Sequence, residues 1–255
     1  TRPAADSRQI EAGAEILTNA KKPIILAGGG VILSKASSAL QELAEHLQSP
    51  VITTAEGKGA LSEGHDLSVG ALRIREELIV DYIAKSDVIL AVGTRLANPR
   101  ILGGRKVVQI DIDENEIGRN HADTLGMVGD AKGTLEALHA TLASSFSQRP
   151  SRKEEVQALK RERQENPHAQ IEPLAGFVRA IRSAMPDDGI LVSGLTQVAY
   201  YSRPYFPVYH PGTYLTSSYM GTLGFAYPTA LGAKVACPDS AVVALSGDGG
   251  FLYNS

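Results

Sequence analysis

The chain has 255 residues, 43% of them hydrophobic and 21% charged, a composition typical of globular proteins and enough length for one large or two ordinary domains. A net charge of -3, with acids and bases mixed along the chain, offers no basic track for a phosphate backbone and argues against a nucleic-acid partner. No run approaches the ~20 apolar residues of a membrane helix, and Thr1-Arg2-Pro3-Ala4-Ala5-Asp6 carries no apolar signal region, so no membrane partner and a cytoplasmic protein are expected.

Cys237, the single cysteine, cannot form an internal disulfide and reads as a small buried apolar residue.

From residue 7 to 143, short β-branched runs alternate with helical patterns, which predicts a parallel sheet covered by helices. Strands are expected at 24–27, 51–54, 88–92, 107–112 and 127–128, nearly all apolar as in a sheet covered on both faces. Leu40, Leu43, Ala44 and Leu47 set one apolar stripe on a helix that Ser34 or Ser37 would cap. Ile74, Leu78, Ile79 and Tyr82 mark a second crossover helix.

Residues 144–170 change character. The stretch Ser144-Ser145-Phe146-Ser147-Gln148-Arg149-Pro150 precedes the charged runs Lys153-Glu154-Glu155 and Lys160-Arg161-Glu162-Arg163, which predicts a linker carrying a solvated helix. At Glu172-Pro173 a new α/β pattern opens: Pro173 suits a first helical position, and Leu174, Phe177, Val178 and Ile181 repeat at helical spacing. A strand at 190–193, a Tyr-rich segment at 200–214, a helix at 227–236 and a strand at 242–245 follow. Residues 171–255 are fewer than an α/β domain of five or six strands ordinarily needs, so this second domain is expected to be incomplete.

The strongest local signal is Leu245-Ser246-Gly247-Asp248-Gly249-Gly250-Phe251, a glycine turn with one acid directly after an apolar strand. Parallel sheets bind ligands at the carboxyl ends of their strands, where glycines let backbone amides approach an anion. An Asp there offers a hard oxygen to Mg²⁺, which in turn can hold a diphosphate. A plain turn would also use Asp-Gly and Gly-Gly.

Two other motifs fall short. Gly28-Gly29-Gly30 lacks the later glycine of a dinucleotide fingerprint, and Gly57-Lys58-Gly59 lacks the preceding phosphate loop and the following Ser or Thr of a P-loop. His65 reads as a loop or packing histidine.

Upstream of the glycine turn, Gly221-Thr222-Leu223-Gly224-Phe225 runs into a helix through Pro228, Ala230, Gly232 and Ala233. This segment paired with Gly247-Asp248-Gly249-Gly250-Phe251 resembles the cofactor domain of thiamine-diphosphate (ThDP) enzymes of the acetolactate-synthase type. Segments 23–30, 50–54, 57–60, 65–70 and 109–113 resemble successive landmarks of that family's middle domain.

The resemblance implies an α/β fold: a Rossmann-like parallel-sheet middle domain at 7–143, a linker at 144–170, and the start of a ThDP-binding domain at 171–255. It implies Asp248 as the first protein ligand of Mg²⁺, with the backbone of Gly249 and Gly250 facing the diphosphate. Leu223 matches the apolar wedge that bends the cofactor, and the Gly221 carbonyl matches the acceptor for its 4'-amino group. Thr196 and Gln197 match a second diphosphate loop, although Gly194 stands where the family often has Asp or Glu.

Some members hold FAD in the middle domain. Gly70, Gly93, Thr94, Arg95 and Asp113 match that pattern, whereas Arg73 and Asn98-Pro99-Arg100 depart from it, so FAD stays open. The family reaction implied is decarboxylation of a 2-oxo acid, pyruvate first, followed by carboligation in a homodimer or homotetramer.

The family's catalytic glutamate and its Asn-containing second Mg²⁺ ligand match no position here, so these residues alone are expected to lack turnover. Two alternatives remain: a ThDP-dependent 2-oxo acid decarboxylase or other carboligase, and a module that binds FAD, ADP or NAD without ThDP chemistry.

Overall fold

The computed structural model describes residues 3–73 and 76–254; Ile74, expected on the second crossover helix, lies outside them. The first helix, α1 (Ser7–Asn19), is capped by Asp6, whose side chain accepts from Arg8 N at 2.9 Å. It is followed by β1 (Ile24–Ala27), α2 (Gly29–Leu33), α3 (Ser37–Leu47), β2 (Val51–Thr53), β3 (Ser68–Ala71) and α4 (Glu77–Ala84). Then come β4 (Val88–Val92), β5 (Lys106–Asp111), β6 (Thr124–Val128), α5 (Ala131–Ser145) and α6 (Lys153–Glu165).

All six strands pair in parallel in the order β3-β2-β1-β4-β5-β6. The chain winds outward from β1 in both directions, so the order reverses between β1 and β4.

Alternation along the strands sorts the core into two layers. Ile25, Leu90, Val108 and Met127 point to one face, where Leu17 of α1, Leu43 of α3 and Leu138 of α5 cover them. Ile24, Leu26, Ile89 and Val107 point to the other, under Ile79 and Ile83 of α4 and Val156 and Leu159 of α6. Leu17, Leu43 and Leu138 are fully buried, each contributing about 1.5–3 kcal/mol relative to exposure.

The strands follow the sequence reading with shifts of one residue at 51–54 and 107–112, while 127–128 is the end of a longer strand. β3 escaped it altogether. Capping of α3 differs too: Ala36 occupies the N-cap position with no side-chain bond, and the Ser34 hydroxyl instead donates to Gly30 O at 2.7 Å.

At the reversal point, glycines interlock. Gly28 N donates to Val92 O at 2.8 Å and Gly30 N to Gly93 O at 3.1 Å. A Cβ added at Gly28 would stand 2.2 Å from Gly93 O, so Gly28→Ala is expected to cost about 3 kcal/mol or more in urea denaturation. A loss below 1 kcal/mol would show that the loop yields.

The linker region is not a plain solvated segment. Val156, Leu159 and Arg163 form a buried stripe of α6. Arg163 donates to Glu76 Oε1 at 2.6 Å and Oε2 at 2.8 Å, and to Val69 O at 3.1 Å and Ala71 O at 2.6 Å, which covers the edge strand β3. Further bonds tie the amino-terminal part to residues far along the chain: Ala5 N donates to Thr134 Oγ1 at 3.1 Å, Val128 N to Gln9 Oε1 at 3.2 Å, and Arg152 Nη1 to Pro23 O at 2.7 Å.

The second sheet is built by α7 (Leu174–Ala184), β7 (Ile190–Ser193), α8 (Gln197–Tyr205), β8 (Tyr214–Thr216), α9 (Ala226–Ala236), β9 (Val242–Leu245) and α10 (Asp248–Leu252). Its three strands are parallel in the order β8-β7-β9. Pro173 is the residue before α7 rather than its first helical position, and Phe177 faces out, leaving Ala175 and Val178 to bury the helix.

Cys237 is exposed, which corrects the expectation of a buried residue: it ends α9, a helix that fully buries Ala226 alone. The two sheets meet where Glu63 N donates to Val208 O at 2.9 Å and the Lys58 ammonium lies 5.5 Å from the Tyr214 ring centroid. No helix of the described residues is long and apolar enough to cross a membrane.

Candidate functional site

In the second sheet β7 and β9 are neighbours in register, Ser193 opposite Leu245, so their carboxyl ends lie side by side. Each runs through a short turn into a helix. After β7, Thr196 caps α8 by accepting from Ala199 N at 3.0 Å, and Gln197 is the first helical residue, exposed. After β9, Gly247 precedes α10, which begins at Asp248.

The turns touch: a Cβ at Gly247 would stand 3.3 Å from Thr196 Cγ2. Two helix starts thus converge where partial positive charge and backbone amides favour an anion.

Gly194 explains its own departure from the family pattern. Its N–H donates to Leu245 O at 2.9 Å, and a Cβ there would lie 2.5 Å from that oxygen and 3.1 Å from Ala226 Cβ. An acidic side chain at 194 has no room in this pairing of β7 with β9.

The loop from Gly221 to Gly224 closes the third side. Gly221 (φ +60°) and Gly224 (φ +80°) are both left-handed, a conformation glycine adopts without the Cβ penalty. Leu223 between them is 47% exposed, free to press on a ligand rather than held in the core. A Cβ at Gly221 would lie 3.9 Å from Leu195 Cδ1, and one at Gly224 would lie 2.9 Å from Tyr253 Cβ. A Cβ at Gly250 would come within 3.8 Å of Gly224 N, whereas one at Gly249 would meet nothing within 4 Å.

All seven residues expected at the cofactor therefore fall on three adjoining segments. Asp248 is exposed, and its Oδ1 accepts from Gly249 N at 2.8 Å. Turning that carboxylate outward would free both an oxygen for a cation and an amide for a phosphate. Among the described residues no group of three or more His, Cys, Asp or Glu side chains is placed to hold a metal.

Asn254 was not foreseen; its Nδ2 donates to Gly224 O at 2.9 Å and to Gly250 O at 3.4 Å. A lone Asn beyond a glycine turn gives no signal in a sequence.

The residues considered for FAD lie apart from this site, on the first sheet. Gly70 sits on the edge strand β3, and a Cβ there would be 3.0 Å from Arg163 Nη1. Gly93 packs on Gly30, with 2.6 Å between an added Cβ and the Gly30 Cα. Thr94 O accepts from Gln109 Nε2 at 3.3 Å and Arg95 O from Asn120 Nδ2 at 2.7 Å. The Asp113 carboxylate accepts from Asn115 N at 3.0 Å and Nδ2 at 2.9 Å, bonds that hold it below the ordinary Asp range.

Lys58 of the Gly-Lys-Gly segment is wholly buried and paired with Glu63. Burial pulls its ammonium below the ordinary lysine range against the opposing pull of Glu63, and it faces no phosphate loop. His65, as expected, is a packing residue, with Nε2 3.0 Å from Glu45 Oε1.

Comparison with known proteins agrees with this geometry. Residues 10–138 match the family described as "Thiamine pyrophosphate enzyme, central domain" and residues 194–255 match "Thiamine pyrophosphate enzyme, C-terminal TPP binding domain". A probable acetolactate synthase large subunit of Methanocaldococcus jannaschii is 34% identical over 97% of this chain and 44% of its own length. A probable 2-ketoarginine decarboxylase, AruI, of Pseudomonas aeruginosa is 32% identical over 98% of the chain and 45% of its own. A sulfoacetaldehyde acetyltransferase of Roseovarius nubinhibens is 31% identical over 98% and 47%. The chain spans less than half the length of these relatives. On its sequence and on the three segments that meet beside β7 and β9, the chain belongs to the thiamine pyrophosphate enzyme family.

Proposed function

We propose that the protein to which these residues belong decarboxylates a 2-oxo acid, pyruvate first, and joins the remaining fragment to a second carbonyl compound. The observation that carries this is the meeting of the Thr196, Gly221–Gly224 and Asp248–Gly250 segments at the carboxyl ends of β7 and β9. Bound ThDP would supply the electron sink for loss of CO₂.

The protein's own contributions are positional. Asp248 would hold Mg²⁺ through one carboxylate oxygen, and the open Gly249 backbone would face the diphosphate. The helix starts at Gln197 and Asp248 would favour its negative charge, Leu223 would press the cofactor into a bent shape, and the Gly221 carbonyl would accept from its amino group. Other Mg²⁺ ligands and the activating glutamate would come from outside these 255 residues, which alone should show no turnover. Assembly as a homodimer or homotetramer and a cytoplasmic location belong to the same reading, as does a boundary between the two domains within 144–170.

FAD is not part of this reading; Gly70 packs against Arg163 and Gly93 against Gly30.

The decisive test is turnover of pyruvate by the intact protein with and without ThDP and Mg²⁺, separating acetolactate from acetaldehyde. Acetolactate formed only with both cofactors is the expected result. Acetaldehyde alone would favour simple decarboxylation, a reading supported by the similar identity to the decarboxylase relative. Failure to bind ThDP would overturn the proposal.

A further inference from the structure

The Gly221–Gly224 loop and the Asp248–Gly250 turn come from elements that do not hydrogen-bond to each other as strands do. One carries the wedge Leu223 and the Gly221 carbonyl; the other carries the metal-side carboxylate and the diphosphate-facing amides. Their spacing must be fixed for a bent cofactor to touch both at once, yet the glycines at their contact have no side chains with which to fix it. Asn254 stands at the far end of α10 and reaches back to both: Nδ2 lies 2.9 Å from Gly224 O and 3.4 Å from Gly250 O. The Tyr253 side chain closes against the same loop, its Cβ 2.9 Å from where a Gly224 Cβ would stand.

We propose that Asn254 is a positioning residue of the ThDP site, its carboxamide strapping the wedge loop to the diphosphate turn so that both are set before the cofactor arrives. Pre-setting matters because a loop ordered only on binding subtracts its ordering cost from the affinity. The proposal rests on the functional reading above. Loss of one such hydrogen bond corresponds to roughly a tenfold change in an equilibrium constant.

The test is calorimetric titration of ThDP, at saturating Mg²⁺, into the intact protein and two variants. Asn254→Ala should weaken ThDP about tenfold while moving the cofactor-free melting temperature little, because Asn254 is exposed. Asn254→Asp keeps the shape but sets a carboxylate against two carbonyl oxygens, so at pH 8 it should weaken binding more than alanine does. As the pH falls towards 5.5 the new carboxyl can protonate and donate, and its affinity relative to wild type should recover. Taking that ratio cancels the pH effects that both proteins share.

Wild-type affinity in both variants would overturn the inference, as would a pH-independent loss that follows a fall in cofactor-free melting temperature. No ThDP binding by the wild type would instead sink the functional reading, and this inference with it.

Discussion

Arg163→Ala is expected to destabilise the protein by about 3–5 kcal/mol, the cost of removing one partner of a buried ion pair. The side chains of Arg163 and Glu76 are each 8% exposed, so the Glu76 carboxylate would be left buried without its partner. The carbonyls of Val69 and Ala71 would lose a donor as well, and edge strand β3 would lose its cover. Urea denaturation followed by circular dichroism would measure the loss. Adding Glu76→Gln should recover part of it, since the stranded charge is then gone. A shift below 1 kcal/mol for Arg163→Ala would mean that water already reaches the pair and that α6 is held by Val156 and Leu159 alone.

Asp248→Ala should leave the fold intact and remove the cofactor response. Its side chain is exposed and makes one local bond, to Gly249 N at 2.8 Å, so little stability depends on it. ThDP-dependent turnover by the intact protein should fall by at least about a hundredfold, since altering residues that merely support metal ligands already costs metal sites 10–100-fold. The Mg²⁺ dependence of ThDP binding in calorimetry should vanish with it. Unchanged Mg²⁺ dependence would remove Asp248 from the metal site and leave the glycine backbone as its whole contribution.

Much of this was legible before any coordinates. Strands β1, β4 and β7 were readable to the residue because runs such as Ile24-Ile25-Leu26-Ala27 are buried on both faces and need no alternation, and β9 was read as well from its apolar run although Ala244 is exposed. The cofactor segments were legible partly because glycines there adopt a left-handed backbone that other residues avoid, at Gly221 and Gly224.

What escaped depended on partners distant in sequence. Ser68-Val69-Gly70-Ala71 has a polar start and a glycine, and it is a buried strand only because Arg163 arrives from α6 to cover it. Arg163 in turn looked like one more charge in a solvated run. The hint was its spacing from Val156 and Leu159, which puts all three on one side of a helix. The hydroxyl of Ser34 chose Gly30 O over the start of α3, a local competition that sequence does not decide.

The ties between the start of the chain and residues 128–152 also set a clock. Ala5 and Pro23 each bond to groups 129 residues further on. A ribosome adding about 5–20 residues per second needs roughly 6 to 26 seconds to deliver those groups. For that interval the apolar side of α1, with Ile10, Ala14 and Leu17, has no α5 to rest on. In a cell, a chaperone that grips exposed apolar segments would find that nascent helix open to it during this interval.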